Sequence, residues 1–316
     1  MSLIGFNHVA AQSSLIATLS HENDVKEFYG TDAFKNAHAA AVNGDVITLS
    51  SGSFATTDIT KAVTIRGAGV TNDFENGYEQ TIVKGVSCIK NVNDSIHSLT
   101  IEGIYFQDKL SYSGNNKNIR IVKCNLHSFD ETYNYNYNYN GETINNTMFI
   151  NCRIFNDLCV HDNSGVVVLN SVIFRPVLSG NSIGSELVNC VIYSVQSINK
   201  SLLKNCYIRY STYNLGSLNE AYNCVGSHAR IFEYMSNSTN KVCAEADMFK
   251  TEGLYVLTDA AKAEYIGTDG TEVGIYGGNM PYDVTSDFPR ILKCNVASKS
   301  TIDGKLSVDI QVKTGK

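Results

Sequence analysis

"ELVNCVIY" (186–193) and "LLKNCYIR" (202–209) decide the fold. In each, a β-rich run meets Asn, then Cys, then an apolar residue two places on. The same shape recurs as "TIRGAGV" (64–70), "TIVKGVSC" (81–88), "TIEGIYF" (100–106), "RIVKCNL" (120–126), "MFINCRIF" (148–155), "VVLNSVIF" (167–174) and "EAYNCVG" (220–226). The hinge residues are Gly67, Gly85, Gly103, Lys123, Asn151, Asn170, Asn189, Asn205 and Asn223, at steps of 18, 18, 20, 28, 19, 19, 16 and 18. Random spacing would not hold so near 18 in seven of eight steps. Self-similarity at a fixed period is the mark of a repeat architecture.

Gly and Asn share a reason to stand at the hinge, because both tolerate the left-handed backbone that a sharp bend between strands needs. Lys123 departs from that rule and fixes its rung least well. After the bend side chains alternate in and out. Ala68/Val70, Val86/Cys88, Ile104/Phe106, Cys124/Leu126, Cys152/Ile154, Ser171/Ile173, Cys190/Ile192 and Cys206/Ile208 then form an inward row of small or apolar residues. Tyr105, Arg153 and Tyr207 fall between them and suit the outside. A coil of about 18 residues that stacks only on its neighbours is a parallel β-solenoid.

"NGDVITLSSGSF" (43–54), "KAVTIRGAGV" (61–70) and "SLTIEGIYF" (98–106) resemble the opening of a pectin-lyase-like, right-handed parallel β-helix: a short helix, a Gly-Asp turn, a first strand, then "TI-x-G" rungs. The helix is "TDAFKNAHAAA" (31–41), with Thr31 or Asp32 as N-cap and Ala33, Phe34, Ala37 and Ala41 on the face that plugs the open end. The resemblance implies an all-β chain. Its expected parts are an N-terminal segment with a capping helix (1–43), a β-helix of about nine or more rungs (44–243), and a C-terminal cap with a β-hairpin tail (244–316). It is specific for fold and weak for function, because the architecture carries unrelated activities.

The one long step, from Lys123 to Asn151, contains "TYNYNYNYN" (132–140). Subtracting a normal rung leaves 9 or 10 extra residues, the length of that strip, and insertions in solenoids leave the coil as loops. Two readings stand. One is a flexible polar loop; the other is a carbohydrate contact in which Tyr133, Tyr135, Tyr137 and Tyr139 stack on sugar rings.

The fold family includes polysaccharide lyases and glycoside hydrolases, which need paired carboxylates or Ca²⁺-binding acids beside a base. Acids between 110 and 240 do not recur at rung spacing. The nearest candidate is "NDLCVHDNSG" (156–165), with Asp157, His161 and Asp162, whose residue types are also those of an ordinary turn between rungs. The turn is the preferred reading. "GSHARI" (226–231) lacks the Gly and Lys that would complete a hydrolase motif. Nine Cys without a CxxC pair suggest neither a zinc site nor a disulfide framework; the inward Cys row reads as core packing. No metal and no cofactor are expected.

"GTDGTEVGIYGGNMPY" (267–282) resembles a tail found behind β-helices in surface and virion-associated proteins of gut bacteria and their phages. That resemblance implies a homo-oligomer or larger assembly joined through the tail, at a virion or cell surface. The minimal role of the tail is to cover the last rung. "KCNVASKSTIDGKLSVDIQVKTGK" (293–316) reads as a hairpin around Asp303-Gly304. Charged residues are 18% of the chain and the net charge is -6, unlike a nucleic-acid surface. No run approaches the length of a membrane span, and the first 25 residues lack the basic region of a secretory signal. The functional expectation is a non-catalytic structural or adhesive β-helix, such as a phage tail or capsid appendage component or a glycan-contacting surface protein. The alternative is a polysaccharide lyase or glycoside hydrolase.

Overall fold

The computed structural model describes residues 15–72, 79–91, 96–131, 143–161, 164–179, 184–195, 197–211, 215, 218–233, 239–251, 253–285, 290–296, 303–305 and 307–313. The chain is 50% strand and 9% helix, wound as a parallel β-solenoid of about eight turns.

Two parallel sheets face each other across the coil. Along the first, Ile47, Ile65, Ile101, Ile121, Phe149, Val168, Leu187 and Leu203 stand in register, one per coil. Along the second, Phe106, Leu126, Ile154, Ile173, Ile192 and Ile208 do the same. All are buried. The period-two alternation puts these side chains inside, and burying each contributes roughly 1.5–3 kcal/mol.

The corner between the sheets is the predicted hinge. Lys123, Asn151, Asn170, Asn189, Asn205 and Asn223 all have φ between 46° and 54°. Their amides join successive coils: Lys123 N donates to Ile150 O (2.8 Å), Asn170 N to Val188 O (3.0 Å) and Asn205 N to Tyr222 O (3.0 Å). Lys123 therefore belongs to the ladder despite its side chain. Just inside the corner, thiols point into the core and donate to nearby carbonyls, as Cys124 Sγ does to Val122 O (3.2 Å) and Cys206 Sγ to Leu187 O (3.2 Å). Ser171, the one hydroxyl in that row, donates to Leu169 O (2.7 Å). None of the described cysteines forms a disulfide.

Two hinge assignments need correction. Gly67 lies in the ladder, but its neighbour Gly69 carries the positive φ, 119°. Gly67 is needed for close approach, since a Cβ there would sit 2.4 Å from Gly103 O. Gly85 is not in this ladder at all. The strand before it, Thr81–Lys84, pairs with Gly52–Ala55 and Tyr105–Ser113 of the second sheet. The first two nominal steps are thus a single long coil, and Val86, expected inside, is 59% exposed.

The capping helix spans Ala33–Ala40, with Asp32 at its N-cap and no side-chain capping bond. Ala33, Phe34, Ala37 and Ala41 are buried, as expected. A hairpin of Ile16–His21 and Asp24–Tyr29 adds to this end, antiparallel to Val46–Leu49; the sequence reading had not separated it from the cap. At the other end the 3₁₀ turn Ala229–Phe232 places Ile231 in the core.

The tail does more than cover the last coil. Beyond the strand Lys241–Val242 it doubles back as a strap along the corner ladder. Asn223 Nδ2 donates to Ile266 O (2.8 Å), Asn205 Oδ1 accepts from Thr268 N (2.7 Å), and Asn170 Nδ2 donates to Ile275 O (2.9 Å) and Gly277 O (2.7 Å). Lys123 Nζ reaches Thr285 O at 2.9 Å. The last strands, Arg290–Val296 and Val308–Lys313, pair antiparallel as the expected hairpin.

Candidate functional site

The residues that point outward from the second sheet fall into columns, because every coil repeats the same register. Two places after the corner stand Val172, Val191, Tyr207 and Val225, all buried beneath the strap residues Met248, Phe249 and Leu257. Tyr207, expected outside in solvent, is therefore fully covered, its ring edge-on to Phe249 at 4.9 Å. Burial pushes its hydroxyl pKa up.

Four places after the corner the column stays partly open. Phe155 is 39% and Phe174 42% exposed. Phe174 and Tyr193 stack at 5.4 Å between centroids, and the Arg209 guanidinium lies 4.6 Å from the Tyr193 centroid. Arg209 Nε also pairs with Glu245 Oε2 of the strap at 2.5 Å.

Between this column and the strap runs a cleft of two hollows, of about 280 Å³ and about 300 Å³, which share Arg153, Val172 and Tyr255. Tyr255 forms the strap wall. It is buried, edge-on to Tyr193 (6.2 Å) and Phe249 (5.6 Å), and held at φ 56°. A bulky residue in that region is strained, at a cost of roughly 1–3 kcal/mol. Opposite, the Arg153 guanidinium lies 5.2 Å from the Phe155 centroid. No carboxylate and no hydrogen-bond acceptor among the described residues engages it.

Asp157, two residues beyond Phe155 on the same strand, is paired with Arg175 of the next coil in a two-pronged contact, Nη2 to Oδ2 at 2.7 Å and Nε to Oδ1. One coil earlier, Lys109 Nζ meets Asp130 Oδ2 at 3.1 Å and Glu131 O at 2.9 Å. The turn reading of 156–165 is corrected over its first six residues: 156–161 finish the strand Arg153–His161, in register with Val172–Ser179. The local Asn-Asp composition yields to the ladder hydrogen bonds of two neighbouring coils. The side chain of His161, and Asp162 altogether, lie outside the described residues. So do Tyr133, Tyr135, Tyr137 and Tyr139. Among the described residues, no three His, Cys, Asp or Glu side chains group as a metal site.

The sequence reading missed Phe155, Phe174 and Tyr193, although their signal was present. They are aromatic residues 19 apart, at one place in three consecutive coils. Tyr255 had no such signal, since the strap has no period. Against known proteins the chain matches no family model, no curated protein and no solved structure.

Proposed function

We propose that the chain is a non-catalytic adhesive β-helix that holds a glycan along the outer face of its second sheet, as a component of a virion or cell-surface structure. The observation that carries this reading is the lining of the cleft, which contains no carboxylate among the described residues. Asp157 and Asp130 are engaged by Arg175 and Lys109, whereas glycoside hydrolysis requires two carboxyl groups facing a scissile bond across a gap of roughly 5–9.5 Å. The cleft instead offers ring edges, tyrosines and one guanidinium. That is a surface for holding a hydroxyl-rich chain rather than cutting it. The order of helix, Gly-Asp turn and "TI-x-G" rungs also resembles that of the pectin-lyase-like architecture, some of whose members handle polysaccharides.

The test is glycan binding by calorimetry, with product analysis on the same samples. Saturable binding without new reducing or unsaturated ends is expected, and Phe155→Ala/Phe174→Ala should weaken it by at least about tenfold, as hot-spot aromatics do. Asp157→Ala should leave affinity within about twofold, since its carboxylate is committed to Arg175. Products that disappear in Asp157→Ala or Asp130→Asn would establish the lyase or hydrolase alternative.

A further inference from the structure

We infer that the outer face of the first sheet docks a second copy of this chain, face to face and with the two rods running in opposite directions. The inference concerns the side of the coil away from the cleft and does not depend on what the cleft holds.

The register supplies the first argument. On this sheet Ile121, Phe149, Val168 and Leu187 point into the core, so their neighbours along each strand point out. One outward column reads Arg120, Met148, Val167 and Glu186 over successive coils, and the other reads Val122, Ile150, Leu169 and Val188. The apolar members of both columns belong to neither hydrophobic core of the described residues, and all but the buried Ile150 are partly exposed. A contiguous apolar stripe of this kind, rimmed by charges, is a surface that association covers.

Charge supplies the second argument, and it selects the partner. A twofold axis along the strand direction, midway between the coils of Met148 and Val167, lays each column on its own copy in reverse order. Arg120 then falls opposite Glu186 of the second copy, Met148 opposite Val167, Val122 opposite Val188 and Ile150 opposite Leu169. One coil further out on each side stand Glu102 and Lys204, in the column of Val122 and Val188, and the same axis brings them together. Rods running the same way would instead set Arg120 against Val122 and Glu186 against Val188, burying both charges on apolar side chains at a cost. The eight coils from Thr64 to Glu220 form a strip of about 38 Å by about 13 Å. Two such strips bury about 1,000 Å², the lower limit of a specific interface, so the association is reversible. It leaves the column of Phe155 and Phe174, on the other sheet, open on both copies.

The experiment is sedimentation velocity of the full chain over a concentration series through the micromolar range. A monomer–dimer equilibrium is expected. Arg120→Glu and Glu186→Arg should each weaken it by at least about tenfold, because each sets like charges opposite one another at both symmetric contacts. Arg120→Glu/Glu186→Arg restores the opposite signs and should return the dimer constant to within about threefold of the parent. Within one chain the two residues lie three coils apart, or about 14 Å, so recovery requires contact between copies. Leu169→Lys, at the centre of the stripe, should leave a monomer at every concentration with its far-ultraviolet spectrum unchanged. A parent chain that stays monomeric, its face bare or covered by its own C-terminal residues, overturns the inference. So does a dimer that ignores the charge reversals, which would be held through the strap or another surface.

Discussion

At the corner, Asn170, Asn205 and Asn223 each serve two purposes. The backbone sits at positive φ, which costs an ordinary L-residue roughly 1 kcal/mol. The side-chain amide docks the strap, and a hydrogen bond of that sort is worth about 1 kcal/mol. Asn205 allows the two to be separated. Asn205→Gly should keep the turn and lose the dock, a cost of about 1 kcal/mol. Asn205→Ala should lose both, about 2 kcal/mol. Urea denaturation of the pair resolves them, and equal losses would mean that the dock contributes everything. The thiols beside the corner offer a second check. Burial raises the pKa of Cys124, Cys206 and Cys224 well above the ordinary thiol value and pushes Cys152 up to about 12. Thiolates are the reactive form. Iodoacetamide should therefore modify the half-exposed Cys243 before any of these four, as peptide mass mapping of the native protein would show. The Asn and Cys rows were legible as rows because each residue answers a need of its own coil. The docking role of the asparagines was not, since its partners on the strap lie 43 to 107 residues away.

Among the elements, the capping helix carries a built-in sensitivity to acid. His38 is buried against the coil, where its Nε2 accepts from Thr60 N (3.2 Å) and Lys61 Nζ binds three helix carbonyls nearby. Desolvation, reinforced by the Lys61 charge, lowers its pKa from 6.5 to about 4. A folded state that resists protonation binds fewer protons than the unfolded chain. Stability is then complete above about pH 6.5 and falls as pH drops toward 4. Between pH 7 and 4.5 the loss from this group is about 2 kcal/mol. His38→Gln should flatten that part of the pH profile, as read by urea midpoints at the two pH values. An unchanged slope would place the acid sensitivity elsewhere. The helix itself was readable from Ala33, Phe34, Ala37 and Ala41, a 3.6-residue pattern ending in an open coil. The long first coil was not, because "TIVKG" has the local shape of a first-sheet strand and only its pairing partners reveal the second sheet.

At the scale of the whole molecule the described residues form two hydrophobic cores rather than one. The main core fills the coil from Ala17 to Ile231 and contains no strap residue. The second joins four outward coil residues to the strap. The coil core is complete without the strap, so the strap should open as its own cooperative unit. In hydrogen exchange, amides of 244–285 should exchange together and ahead of those in Leu99–Glu102, Ile119–Val122 and Ser185–Val188. Simultaneous exchange would show one cooperative unit instead. The cleft lies where the outer face of the coil meets the strap, and for that reason the sequence did not disclose it. Its walls come from a periodic part and an aperiodic part whose meeting no spacing encodes.

By itself the amino-acid order determined the winding: which residues turn, which face inward and how far apart the coils lie. These follow from backbone preferences and side-chain alternation within a few residues of each other. Only the tertiary structure decided which outward column is roofed and which acids find cations. Those outcomes depend on contacts between segments tens to more than a hundred residues apart, whose geometry exists only once the coil has stacked and the strap has returned along it.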